Sequence, residues 1–339
     1  SRAIEIDVDA VCDGTDVLVG AVMEHVEEAG VHSGDSTTVI PTQNVPPDVL
    51  RTLDDYARRI ALALGTRGLI NIQFAVQAGG AGPGGRKPWT VYVLEANPRS
   101  SRTVPYVAKA TGLPLAKIAA KVAVGRTLRE LGVRAPPRIE HVAVKAPVFP
   151  FLKLPGVDAV LGPEMKSTGE VMGIAADYPT AYAKAMEAAG NRLPTRGTVF
   201  VSLAKQDRPR ALDAVRQLAR LGFKLVATEG TAADLRAAGL EATTVYKLSD
   251  RRSPDAIDLI RNGQVSLILN TPGELMEGPQ RRDGFAMRRV AVEAQVPFLA
   301  TVEAAQVAAR AIAAKRRVGG RFGVQSLQEY ARAARAVVS

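Results

Sequence analysis

The sequence predicts an α/β chain in two unlike parts, an α+β first part followed by a doubly wound parallel sheet. Two observations carry this. In the first part, two strand-like stretches, RGLINIQFA (68–76) and WTVYVLEAN (89–97), flank a segment crowded with glycine and proline. From about residue 196, short apolar strands and amphipathic helices alternate regularly, the pattern of a parallel sheet covered on both faces.

The elements follow in order. DVLVGAVMEHVEEAGVHSGDS runs from apolar, strand-like character into the small, flexible GVHSGDS. PPDVLRTLDDYARRIALALG has apolar residues at helical spacing, with Pro46 and Pro47 at its start and Gly65 after its end. In 68–76, Leu69, Asn71, Gln73 and Ala75 share one face and Ile70, Ile72 and Phe74 the other, giving a strand with a polar side. QAGGAGPGGRKP (77–88) cannot continue it and reads as a long hairpin loop. Counting in twos along the next strand puts Trp89, Val91, Val93, Glu95 and Asn97 on one face, and Pro98 keeps Asn97 extended. Paired as a hairpin, the two strands bring Gln73 opposite Glu95 and Asn97. VPYVAKATGLPLAKIAAKVAVG reads as helix interrupted near Pro114, and proline-rich 131–175 as an irregular connector holding one strand, HVAVKAPVF. Five strand–helix pairs then begin at VFVSLA, FKLVATEG, TTVYK, VSLILNTP and PFLATV. Ligands of such sheets sit beyond the carboxyl ends of the strands, which picks out Ser202, Thr228, Gly230, Thr231, Lys247, Asn270 and Thr271.

Composition narrows the function. With 339 residues, 47% hydrophobic and 23% charged, the chain is ordinary globular protein with room for two or three domains. A single cysteine, Cys12, excludes an internal disulfide framework and reads as a buried apolar filler, and three scattered histidines lack zinc-ligand spacing. No apolar run reaches membrane-spanning length and the first residues lack signal-peptide order, so a cytoplasmic protein with no membrane partner is expected. Of the net charge of +10, residues 194–339 carry +9, with 23 Lys and Arg against 14 Asp and Glu. Aromatic content of 5% leaves few stacking platforms for nucleic acid, so the basic excess points to a small phosphorylated ligand and to no nucleic acid.

Two constellations bear chemistry. Gln73, Glu95 and Asn97 offer hard oxygens suited to magnesium, which completes its shell with water and substrate phosphates. Arg99 and Arg102 add fixed positive charge where a transferring phosphoryl group gathers negative charge. A surface strand end with a structural Glu–Arg pair would show the same residues. His32, in a glycine-containing turn beside Ser33, is open to an incidental or a ligand-facing reading. In ATEGTAADL, Gly230 and Thr231 stand just before a helix, either as a phosphate cradle or as a plain cap, with Lys247 ending the next strand.

EANPRSSRTVPYVAKATGLPLAKIAAKVAVG, MEHVEEAGVHSGDS and LGPEMKSTGEVMG together strongly resemble the large subunits of carbamoyl phosphate synthetases, at the end of the second ATP-grasp unit. The remainder resembles their regulatory domain of methylglyoxal-synthase-like fold. The resemblance implies a partial ATP-grasp (α+β) unit over 1–130, a connector packed on it over 131–193, and an allosteric doubly wound domain over 194–339. It implies ATP and Mg2+ or Mn2+ as cofactors, with metals on Gln73, Glu95 and Asn97 and ATP phosphates near Gln73 and Glu95. Glu5 would hold the ribose, Gly30, Val31, His32 and Ser33 would line the nucleotide pocket, and Arg99 and Arg102 would face phosphoryl transfer to carbamate. A glutamine amidotransferase small subunit, a UMP- or IMP-like effector on Ser202, Thr228, Thr231, Lys247, Asn270 and Thr271, and an oligomeric full enzyme complete what it implies.

Departures from the family pattern sharpen the expectations. A family lysine is Arg208, which keeps the charge, and a family threonine is Pro272, which loses a hydroxyl and an amide donor. Of three acidic positions for the activator ornithine, Glu27 and Asp35 match but the third is Ala146, so no strong ornithine response is expected. The glycine-rich loop and earlier basic clamp on ATP are missing, so the chain alone is expected to be inactive. The alternative is a free-standing nucleotide-sensing module with a non-catalytic ATP-grasp remnant. Biotin carboxylases share Glu-x-Asn-Pro-Arg, but nothing carboxylase-like follows Arg99.

Overall fold

The computed structural model describes residues 3–79, 81–82, 85–86, 88–154, 157–246, 248–250, 252–271 and 278–336. The first part is built from β1 (Ile4–Cys12), β2 (Val17–His25), β3 (Thr38–Ile40), α1 (Pro47–Ala63), β4 (Gly68–Gln77), a short ribbon β5 (Ala81–Gly82) and β6 (Gly85–Arg86), β7 (Thr90–Asn97), α2 (Thr103–Thr111), α3 (Leu115–Ala123), β8 (Val142–Val148), β9 (Gly169–Ala175) and α4 (Tyr178–Ala188). Seven strands form one antiparallel sheet in the order β7-β4-β1-β2-β3-β8-β9. Strand alternation divides its faces. Ile6, Val8, Ala10, Ile70, Ile72 and Phe74 pack against Val49, Leu53, Ala57 and Ala61, the four-residue stripe of α1. Val11, Leu18, Ala21 and Met23 on the other face pack under α2 and α3. On that second face β1 also turns Glu5, Asp7 and Asp9, beside Asn71 and Gln73 of β4, which is where the site lies.

The connector expected over 131–175 is more regular than its prolines suggest. It supplies two strands, β8 and β9, that finish the first sheet. β9 (GEVMGIA) escapes pattern reading because Gly173 has no side chain to mark a face, and the space has a purpose: a Cβ there would sit 2.1 Å from Ala181 O. The missing methyl lets α4 lie directly on β9.

The second part holds β10 (Thr198–Ser202), α5 (Arg208–Arg220), β11 (Lys224–Thr228), α6 (Glu229–Ala237), β12 (Thr243–Val245), α7 (Ala256–Arg261), β13 (Leu267–Asn270), α8 (Gly278–Glu293), β14 (Phe298–Leu299) and α9 (Val302–Arg317). All its strands are parallel, in the order β12-β11-β10-β13-β14. One apolar cluster buries α5, α6 and α9 on one face, and a second buries α7 and α8 on the other, as a doubly wound sheet requires. The first cluster continues through α4 into β8 and β9, so the two sheets share a core. A last helix, α10 (Leu327–Ala336), which the sequence reading did not anticipate, returns to pack against α2.

Candidate functional site

The site begins with the ladder between β4 and β7. Gln73 stands opposite Glu95 and Asn71 opposite Asn97, but the next pair is Phe74 with Val93, so Leu94 is an extra residue bulged out of the ladder. This corrects the expectation that Trp89, Val91, Val93, Glu95 and Asn97 share one face. The bulge resets the alternation: Trp89 and Val91 join the core under α1, while Glu95 and Asn97 turn to the opposite side with Gln73. Asn97 Nδ2 donates to Glu95 Oε1 at 2.7 Å. The chain then leaves the strand through Pro98 and brings Arg99 and Arg102 to the rim before α2 begins at Thr103. A cavity of about 190 Å³ is lined by Gln73, Glu95, Arg99 and Arg102 together with His32 and Ser33, and also by Asn71, Ser101 and Thr103.

His32 and Ser33 arrive on the GVHSGDS loop, which is pinned on every side. Glu5 accepts from Gly30 N at 3.0 Å, and Gly30 has a φ of 99°, a conformation few other residues adopt. His32 N donates to Gly162 O at 2.8 Å, and His32 Nδ1 accepts from Gly34 N at 3.0 Å. Asp35 accepts from Lys166 N and Ser167 N at 2.7 and 2.9 Å, while Lys145 Nζ donates to Ser33 O. Val31 follows Gly30 on the same loop. The loop is therefore a shaped edge of the cavity with backbone groups fixed in place.

Behind the cavity the sheet carries buried charge. Burial raises the Glu5 carboxyl above its ordinary range, opposed by His25 and the Gly30 amide. Burial alone would lower the His25 imidazole, but Asp7, 3.1 Å away, outweighs it and the net shift is upward. Lys145, fully buried, is pulled down by desolvation. Burial pushes Asp9 up to about 6 despite hydrogen bonds from Thr103, Asn71 and Ser101.

The donor set suits a hard divalent cation that keeps oxygen ligands of its own. It has a single carboxylate, Glu95, flanked by two carboxamides, and no group of three or more His, Cys, Asp or Glu that could hold a metal occurs among the described residues. Such a set cannot cage an ion by itself, but it matches a hard cation that keeps water and phosphate oxygens.

The strand-end residues of the second part also converge. Asn270 Nδ2 donates to Ser202 O at 2.9 Å, Thr271 Oγ1 accepts from Ala204 N at 3.0 Å, and Thr231 Oγ1 accepts from Leu203 N at 3.2 Å. Ser202 Oγ and Thr228 Oγ1 lie 3.4 Å apart. Arg208, the first residue of α5, donates to Gly230 O and pairs with Asp234 at 2.9 Å. The helix expected to follow Thr231 starts earlier, at Glu229, so Gly230 and Thr231 belong to its first turn. Lys247 and Pro272 lie outside the described residues.

Comparison with known proteins meets this geometry. The family described as "Carbamoyl-phosphate synthase L chain, ATP binding domain" matches residues 1–131, and "MGS-like domain" matches residues 210–300. A carbamoyl phosphate synthase large chain of Methanosarcina barkeri is 51% identical over 97% of this chain and 79% of its own length. The chain belongs to the carbamoyl phosphate synthase large-chain family. Large chains of Methanothrix thermoacetophila and Archaeoglobus fulgidus are 50% and 52% identical over 98% and 97% of this chain, but over only 30% and 29% of their own. The chain thus spans about 30% of the length of these two large-chain relatives. No helix among the described residues is long and apolar enough to cross a membrane.

Sequence reading missed five residues of this cavity: Gly34, Asn71, Ser101 and Thr103 in its wall and Asp9 behind it. Asn71 was legible as a polar residue on the same face as Gln73. Ser101 and Thr103 carry no local signal, because their partner Asp9 lies more than ninety residues away.

Proposed function

We propose that this chain carries the metal-binding floor of a phosphoryl-transfer site in a full-length carbamoyl phosphate synthase large chain, and that the reaction there is phosphorylation of carbamate by ATP, giving carbamoyl phosphate and ADP. The observation that supports it most is one cavity lined at once by Gln73, Glu95, Arg99 and Arg102, beneath a loop whose backbone is held rigid by Glu5 and Asp35. On this reading Glu5 holds the ribose, and Gly30, Val31, His32 and Ser33 line the nucleotide. Gln73, Glu95 and Asn97 hold Mg2+ or Mn2+, which neutralises phosphate charge. Arg99 and Arg102 bind the oxygens on which charge builds as the phosphoryl group passes to the carbamate.

The full enzyme is proposed to be a cytoplasmic, glutamine-using oligomer with an amidotransferase small subunit, serving pyrimidine and arginine synthesis. Residues 1–130, 131–193 and 194–339 act as catalytic part, connector and regulatory domain. A UMP- or IMP-like nucleotide would bind at Ser202, Arg208, Thr228, Thr231, Asn270 and Thr271, together with Lys247. Clustered hydroxyls and amides at strand ends beside a helix start suit a phosphate.

Two measurements test the reading. In the full-length chain, Glu95→Gln is expected to lower carbamoyl phosphate formation by about 10²- to 10³-fold, the scale of losing one electrostatic contact in such a site. Calorimetry of this chain by itself is expected to show binding of UMP or IMP and little binding of MgATP. Tight MgATP binding with turnover would overturn the assignment of this chain as one wall of a larger site.

A further inference from the structure

Asp9 sits on the site face of β1, fully buried, one layer behind the cavity wall. Its Oδ1 accepts from Asn71 Nδ2 and from Ser101 Oγ, both at 2.8 Å, and its Oδ2 accepts from Thr103 Oγ1 at 2.6 Å. The two hydroxyls are also 2.8 Å from each other. All three donors line the cavity that Asp9 itself does not reach.

The donors come from two separate segments. Asn71 belongs to β4, two residues from Gln73, whereas Ser101 and Thr103 flank Arg102 where the loop enters α2. The side chains of residues 98–103 make no other hydrogen bond to a distant segment among the described residues; the bonds of Arg99 and Ser100 go to their immediate neighbours. One carboxylate therefore closes the joint between the strand carrying Gln73 and the loop carrying both arginines.

We propose that Asp9 is a positioning residue for phosphoryl transfer, setting where Arg99 and Arg102 stand relative to Gln73 and Glu95. The proposal rests on the phosphoryl-transfer reading above. A carboxylate can take three donors without offering one of its own, so it holds all three in a single arrangement. An asparagine keeps the shape but presents an N–H₂ to a hydroxyl that now donates, and an alanine leaves three buried donors unpaired. Displacement of about 1 Å at such a joint costs on the order of a hundredfold in rate.

The test is ATP formation from MgADP and carbamoyl phosphate, the proposed reaction run backwards, in the full-length chain. Asp9→Asn is expected to lower kcat about tenfold or more and Asp9→Ala about a hundredfold. KM for MgADP should change less than kcat, because Glu5 and Gly30, proposed to hold the nucleoside end, make no hydrogen bond to Asp9. Thr103→Val should reproduce part of the loss and Thr103→Ser should restore it, which keeps the test alive if Asp9→Ala fails to fold. The Asp9→Asn, Thr103→Val pair should fall short of the product of the single effects. Unchanged kcat in both Asp9→Asn and Thr103→Val, or losses that track only the folded fraction, would overturn the role of Asp9 while leaving the reaction in place. Absence of ATP formation in the unsubstituted chain would overturn the phosphoryl-transfer reading itself.

Discussion

Asp9 and Asp13 stand four residues apart and titrate in opposite directions. Burial is the largest influence on both. At Asp9 it wins, and the carboxyl rises to about 6 from an ordinary 3.8. At Asp13 it loses to the amides of Asp16, Leu128 and Thr15 and the Thr15 hydroxyl, and the carboxyl falls to about 2. The signs follow from linkage. Asp13 contributes stability above pH 3.8 that is lost as pH falls through about 2. Asp13→Ala is therefore expected to cost about 1–2 kcal/mol near neutrality in denaturant unfolding, a penalty that shrinks as pH drops from 4 towards 2. Asp9 behaves the other way: its favourable contribution is full below pH 3.8 and is lost as pH rises through about 6. Replacing it by asparagine should therefore cost progressively less stability as pH rises from 4 to 7, by up to roughly 2–3 kcal/mol, while the rate defect persists. A stability difference between Asp9→Asn and the unsubstituted chain that stays flat across this range would contradict the buried, ionising carboxyl.

Elements differ in how much of themselves they disclose. The helix α1 and the alternating strands and helices of the second part are legible because each buries one face, and burial imposes a period. The polar side of β4 is legible for the same reason. The facing of β7 is not, because Leu94 adds one residue and reverses the alternation for everything beyond it, and a bulge has no compositional mark when the residue is apolar. β9 hides behind Gly173, whose reason is visible only once α4 is in place. That position yields an element-scale prediction. Gly173→Ala would set a methyl 2.1 Å from Ala181 O and 2.5 Å from Ala185 N, both backbone atoms that cannot rotate away. The substitution is expected to destabilise by about 2–3 kcal/mol or more, measured by urea unfolding, because α4 must lift off the strand. The neighbouring Gly169, with open space around its Cβ direction, should accept alanine with less than about 1 kcal/mol of change.

At the scale of the molecule, the two sheets are joined rather than strung together. α4 packs on β8 and β9 on one side and on α9 on the other, and a single apolar cluster runs from Val144 and Ala175 through Tyr182 to Val199 and Ile312. A second tie crosses nearby, where Arg288 of α8 donates to both oxygens of Asp158 at 2.7 and 2.6 Å, with Arg288 fully buried and Asp158 partly exposed. Burial pushes the Asp158 carboxyl up, but Arg288 outweighs it and holds it below its usual range. Because one apolar cluster spans both sheets, opening one exposes apolar surface of the other, and the chain should unfold as one cooperative unit. Calorimetry is expected to show a single transition. Arg288→Met leaves a carboxylate half-buried without its partner and should lower stability by about 2–4 kcal/mol, moving that whole transition down without splitting it. Two resolved transitions in the unsubstituted chain, one for each sheet, would show that the shared cluster does not couple them.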